Sequence, residues 1–68
     1  MNDHVYKTIE ITGSSPRSAD DAIRVALAKA AQTIKNLRWF KVVETRGVIE
    51  AGAVTYWQVT LHVGFTLE

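Results

Sequence analysis

Ala53-Val54-Thr55-Tyr56-Trp57-Gln58-Val59-Thr60-Leu61-His62-Val63-Gly64-Phe65-Thr66-Leu67 is the stretch that decides how this chain folds. Its residues alternate with period two and are rich in β-branched and aromatic types, the pattern of a strand. Thr55, Trp57, Val59, Leu61, Val63, Phe65 and Leu67 share one face, which is expected to be core. Val54, Tyr56, Gln58, Thr60, His62 and Thr66 share the other. That second face is polar but largely uncharged, an unusual composition for a face left to water. A strand of about 15 residues extends to about 50 Å.

Working outward, Ala51-Gly52 is a turn and Phe40 to Glu50 is the preceding, antiparallel strand. Gly47 and Gly64 are candidate bulges or bends. At the other end of the chain, His4 to Thr12 also alternates. Val5, Lys7, Ile9 and Ile11 point one way, and Gly13-Ser14-Ser15-Pro16 is expected to end the strand. Between the strands, Ala19, Ala22, Ile23, Ala26, Leu27, Ala30, Ala31, Ile34 and Leu37 form one apolar helical stripe. Two starts are open: Ser15 with Pro16 at the first helical position, or Ser18 with Asp21 three residues on. Ser18 is preferred, with the helix ending near Asn36. Asp20 and Asp21 suit the positive end of the helix dipole, and Lys35 and Arg38 the negative end. The order is β-α-β-β, an α+β fold. A helix of about 20 residues spans about 30 Å, so one helix cannot cover the sheet. Either the long strand bends or its ends reach other subunits.

Composition points the same way. The chain has 68 residues, 47% of them hydrophobic, which permits one domain over residues 1–68. A chain of this size buries only about 60% of its unfolded surface and is marginal alone. With no cysteine, disulfides, thiolate metal sites and thiol catalysis are excluded. His4 and His62 lie outside any metal-ligand spacing. Oligomerisation is the remaining supplement. Net charge is +1, too balanced for a nucleic-acid footprint. The longest apolar stretch, Val25 to Ala28, is far below a membrane span of about 20 residues. Met1-Asn2-Asp3-His4 has no signal-peptide character, so a cytoplasmic protein is expected. No nucleophile–base constellation is present, so an enzyme is not.

Several residues could carry function. Trp39, expected at the junction of helix and strand, either plugs the end of the core or offers an exposed face to a planar ring. Position alone leaves both open. Arg46 and Glu44 share a strand face, as a solvated ion pair or with Arg46 as a ring-stacking or phosphate-pairing group. Gln58 is either satisfied by a neighbouring subunit or presents its amide to a heteroaromatic edge. Trp57 reads as packing, and His62 as an interface residue.

The succession Ile9-Glu10-Ile11-Thr12-Gly13-Ser14-Ser15-Pro16, Asp21-Ala22-Ile23, Ala28-Lys29-Ala30, Gln32-Thr33, Leu37-Arg38-Trp39-Phe40, Arg46-Gly47, Gln58-Val59 and Val63-Gly64-Phe65-Thr66-Leu67-Glu68 resembles the dodecins. The resemblance covers nearly the whole chain. It implies a three-stranded antiparallel sheet curled around one helix, a hollow homododecamer of cubic symmetry, and flavin binding without turnover. Trp39 matches the tryptophan that, with its copy across a two-fold axis, sandwiches a pair of flavins. Gln58 matches the glutamine on the polar edge of the isoalloxazine, and Arg46 the strand position lining the pocket. FMN or riboflavin is the implied cofactor, held for storage and photoprotection. Some members also bind coenzyme A, for which Lys29 and Lys35 are candidate phosphate contacts. Arg38, Lys41 and Thr66 depart from the common pattern of acid, acid and base. The first two make the site more positive, which favours phosphate-bearing FMN. The rival readings are a ligand-free oligomeric shell, a coenzyme A carrier and a flavoenzyme.

Overall fold

A computed structural model describes residues 4–67; Met1-Asn2-Asp3 and Glu68 lie outside the described residues. Strand β1 runs Tyr6–Ser15, helix α1 Ala19–Ala31, strand β2 Leu37–Glu50 and strand β3 Ala53–Thr66. The sheet order is β1-β3-β2, with both pairings antiparallel. The expected β-α-β-β fold is therefore present, with its longest strand pair at the C-terminus.

The helix is capped as expected at Ser18, whose Oγ accepts the Asp21 N–H at 3.0 Å. The Asp21 carboxylate is nearly buried and ties the helix start to the end of β1. It accepts the Ser15 hydroxyl at 2.7 Å, faces Arg17 at 3.2 Å and is also paired with Arg24. The helix is shorter than its apolar stripe suggests. The amides of Gln32, Thr33 and Ile34 bond back to the carbonyls of Lys29 and Ala30, and Asn36 then adopts φ 68°. Asparagine tolerates that left-handed conformation better than most residues. Ile34 and Leu37 continue the helical spacing by coincidence, and Leu37 belongs to β2.

β1 in turn runs on through Gly13-Ser14-Ser15, where a break is expected, pairing them with Val59, Gln58 and Trp57. Gly13 makes this possible. A Cβ there would collide with the Ala22 carbonyl and lie 2.7 Å from the Ala26 Cβ. Glycine on the strand and alanines on the helix bring the two backbones together.

The core is small. Ala22, Ala26, Val59, Leu61 and Val63 are buried, with Ile9, Ile11, Ala19, Ile23, Leu27 and Leu37 packed around them. Burying each large aliphatic side chain contributes about 1.5–3 kcal/mol. Only the middle of the expected β3 core face is covered. Trp57 sits on the expected side, opposite Ser15 and Gly47, but remains 37% exposed. A 13-residue helix is about 20 Å long, against a molecule of 55 × 21 × 14 Å. α1 packs on β1 and β3, while Phe40 and Val42 on β2 stay exposed beside it. Between α1 and β2 lies a groove of about 440 Å³, lined by Leu27, Ala28, Ala31, Val63 and the run from Leu37 to Phe40, with Arg24.

The ladder between β2 and β3 is irregular at three points: Leu37/Trp39, Val42/Glu44 and Val48/Ile49. The extra residues are Arg38 and Val43 on β2 and Thr55 on β3. Gly64, opposite Trp39, flanks the first of these irregularities, as expected of a bulge candidate, whereas Gly47 pairs regularly with Trp57. At the hairpin tip, Ala51 and Gly52 have φ 53° and 79°. Positive φ at both central residues is the requirement of a type I′ turn, for which Asn-Gly is the preferred pair.

Ala51→Asn is expected to raise the thermal unfolding midpoint, because alanine carries a steric cost in the left-handed region of about 1–2 kcal/mol that asparagine partly relieves. Differential scanning calorimetry checks this. A second expectation concerns acid. The Ser15 hydroxyl first, then Arg17 and Arg24, hold the Asp21 carboxyl below the usual carboxylate range, against the opposing effect of desolvation. A folded-state pKa below the unfolded one adds stability that is complete above the unfolded value and is lost as pH falls through the folded one. In urea titrations, wild type is expected to exceed Asp21→Asn in stability at neutral pH, the gap closing as the pH drops below about 4.

Candidate functional site

The pairing registers divide the sheet into two faces. Ile9, Val63 and Phe40 form a row on the helix side, as do Ile11, Leu61 and Val42. The opposite face carries the rows Thr8–Gly64–Trp39, Glu10–His62–Lys41, Thr12–Thr60–Glu44 and Ser14–Gln58–Arg46. Trp39, Arg46 and Gln58 therefore share one face, the one opposite α1, while Trp39 also lines the groove between α1 and β2.

Bulges create this division. A side chain changes face at every residue of a regular strand, so Leu37 and Trp39 would normally point the same way. The extra residue Arg38 places Leu37 opposite Phe65 and Trp39 opposite Gly64. Leu37 enters the core and Trp39 the other face. Val43 acts likewise, sending Val42 to the helix side and Glu44 to the side of Arg46. Trp39 is thus a strand residue, not the helix–strand junction that its position in the sequence suggests.

The Trp39 indole lies flat across Gly64. A Cβ at Gly64 would meet the six-membered ring and lie 2.7 Å from Nε1. Tyr6 braces it edge-on, with ring centroids 6.2 Å apart. The side chain is 42% exposed, so an indole supported from below and from one edge keeps a large part of its ring area accessible.

Further along, Arg46 is held by three partners. Its guanidinium donates to Gln58 Oε1 at 3.3 Å, Glu44 Oε1 at 3.2 Å and Thr60 Oγ1 at 2.9 Å. Thr60 is buried here on the supposedly polar face, and it shares a hydrogen bond of 2.9 Å with Thr12. Arg46 is therefore a brace more than a free cation. By engaging the Gln58 carbonyl it turns that amide so that the NH₂ group remains to donate. The neighbouring row is anchored by His62 Nε2 and Glu10 Oε1, 3.0 Å apart.

The structure brings Arg46 and Gln58 together but not Trp39 with them. Gly64, beneath the indole, is six residues from Gln58 along β3, or about 20 Å. Lys41 shares the face of Trp39, and Arg38, the inserted residue, lines the groove beside α1 together with Trp39. Lys29 lines a second groove of about 400 Å³ between β1 and the end of α1, which Lys35 does not line. Among the described residues no group of three or more His, Asp or Glu side chains is placed to hold a metal ion, and no helix is long and apolar enough to cross a membrane. The pairing of Glu44 with Arg46 follows from their shared face, but the Gly64 platform has no signal in the sequence beyond the glycine itself.

Such a protomer, with an exposed aromatic platform, a donor amide and uncovered apolar strands, defines a small ligand-binding protein built to work in an assembly. The chain belongs to the dodecins, whose family model matches residues 5–68; these are small, dodecameric, flavin-binding proteins without enzymatic turnover. It is 47% identical to the dodecin of Thermus thermophilus over 64 residues, 94% of this chain and 93% of that one. The structure of the dodecin from Streptomyces davaonensis superposes with a TM-score of 0.94 at 46% identity, covering 98% of each chain. A calcium dodecin from Mycobacterium tuberculosis is 34% identical over 94% of this chain and 90% of its own.

Gly64→Ala is expected to displace the indole while leaving the sheet paired. Measured in a Trp57→Phe background, the emission of Trp39 should shift to the red and its near-ultraviolet circular dichroism should weaken, with the far-ultraviolet spectrum unchanged.

Proposed function

We propose that this protein sequesters flavin, FMN or riboflavin, by stacking isoalloxazine rings on Trp39, and that it stores them and protects them from light. The observation that carries the reading is the indole held flat between Gly64 and Tyr6 with a large part of its ring area accessible. Stacking a planar ring on such a platform removes apolar area from water and contributes about 1–3 kcal/mol per ring. An electron-rich indole in contact also quenches the excited flavin.

The separation of about 20 Å between the Trp39 platform and Gln58 exceeds the length of a three-ring flavin. A ring stacked on Trp39 therefore meets Gln58 and Arg46 from another copy. A two-fold axis supplies both halves twice, so a pair of flavins lies between two tryptophans, and this favours self-assembly into the family's homododecamer. The NH₂ group of Gln58, oriented by Arg46, suits the carbonyl edge of the isoalloxazine. Bound flavin would supply only its own ring chemistry. The chain's residues stack it, orient it and exclude water. Between the two halves this face carries Lys41, the His62–Glu10 pair and Glu44, and each of the two carboxylates is held by a neighbouring side chain, in keeping with binding rather than turnover. The scattered carboxylates speak for flavin over calcium as the ligand.

Flavin fluorescence is expected to fall on titration with the protein. Trp39→Ala should weaken the apparent affinity at least tenfold, as loss of one stacking partner of 1.4 kcal/mol or more implies. Undiminished binding in that variant would remove the reading.

A further inference from the structure

Among the described residues, the two carboxylates on the stretch of this face between Trp39 and Gln58 are both engaged. Glu10 is held by His62 at 3.0 Å and Glu44 by Arg46 at 3.2 Å. Arg46 is occupied by its three acceptors. Lys41 is the remaining cation of the face, exposed and without an ion-pair partner among the described residues. It stands two residues from Trp39 on the same strand and directly opposite His62. The step from Trp39 to Lys41 is about 7 Å along the strand, within reach of the chain that a stacked flavin carries beyond its rings.

We infer that Lys41 is a specificity residue that selects flavins ending in phosphate over the neutral vitamin. The inference rests on the stacking site proposed above and concerns the tail of the ligand, not its rings. An ammonium beside a phosphate dianion gives a charge-assisted contact that riboflavin's hydroxyl cannot match. His62 stands between Lys41 and Glu10 in the same row and is hydrogen-bonded to the carboxylate, which makes no ion pair with Lys41. Arg38, adjacent to Trp39 in sequence, is the inserted residue of the bulge, stands in no cross-strand row with Lys41 and is assigned no part.

The test is a fluorescence titration of the assembled protein with FMN and with riboflavin, at low and at high salt. Wild type should bind FMN about tenfold more tightly at low salt, with the preference shrinking as salt rises. Lys41→Gln should abolish the preference and leave riboflavin affinity unchanged, and Lys41→Glu should reverse it. Arg38→Gln should retain it. Equal affinities in wild type, or a preference that survives Lys41→Gln, would overturn the role of Lys41 while leaving the stacking site standing. Failure of both flavins to bind would overturn the stacking site, and this inference with it.

Discussion

Two extra residues in β2 govern what the molecule presents to its surroundings. Side chains in a strand alternate strictly, so one inserted residue exchanges the faces of everything beyond it. With Arg38 inserted, Leu37 can close the core while Trp39, two positions on, stands on the other side of the sheet. With Val43 inserted, Val42 aligns with Leu61 and Glu44 reaches Arg46. An unbroken β2 would force a choice between a packed core and an aromatic platform. Bulges are found where a strand must re-aim a side chain, and here the re-aimed side chain is the indole proposed to stack the ligand.

The second constraint is coverage. One short helix is pinned to β1 by Gly13 and the Asp21 cluster, and it shields β1 and β3 only. The tightness of that junction fixes the helix over the middle of the sheet. It leaves the helix side of β2 and the whole distal hairpin without cover. A two-stranded hairpin carrying Ile49, Val54, Tyr56 and Trp57 at its surface is marginal in water on its own. Apolar area left bare in this way is what an assembly buries.

Much of this was legible in the sequence, and the failures have physical causes. Val59, Leu61 and Val63 announced the core because they are aliphatic at period two. Ser18 announced the helix start because a hydroxyl three residues before Asp21 can accept its amide. Ala51-Gly52 announced the turn. The end of the helix was not legible: Ile34 and Leu37 continue its spacing, and only the left-handed Asn36 reveals the break. Gly13-Ser14-Ser15 looked like a terminator because glycine and serine favour turns, yet its purpose is close approach to a helix distant in sequence. The inserted residues left no trace, since Arg38 and Val43 are ordinary strand residues, although Gly64 marked the place where the first bulge falls. Trp39, Arg46 and Gln58 stood out in the sequence as candidates, but their distribution along one face, with Trp39 remote from the other two, depends on register and is a property of the folded sheet.

The distance from the indole platform to Gln58 has a thermodynamic consequence. On the proposed reading, a flavin ring that stacks on one and meets the other touches two chains, so its binding free energy would add to the free energy of association. Ligand concentration and protomer concentration then act on one equilibrium, and each raises the apparent affinity of the other. A cell holding little flavin would also hold a less firmly assembled shell, and a rising flavin supply would consolidate its own container.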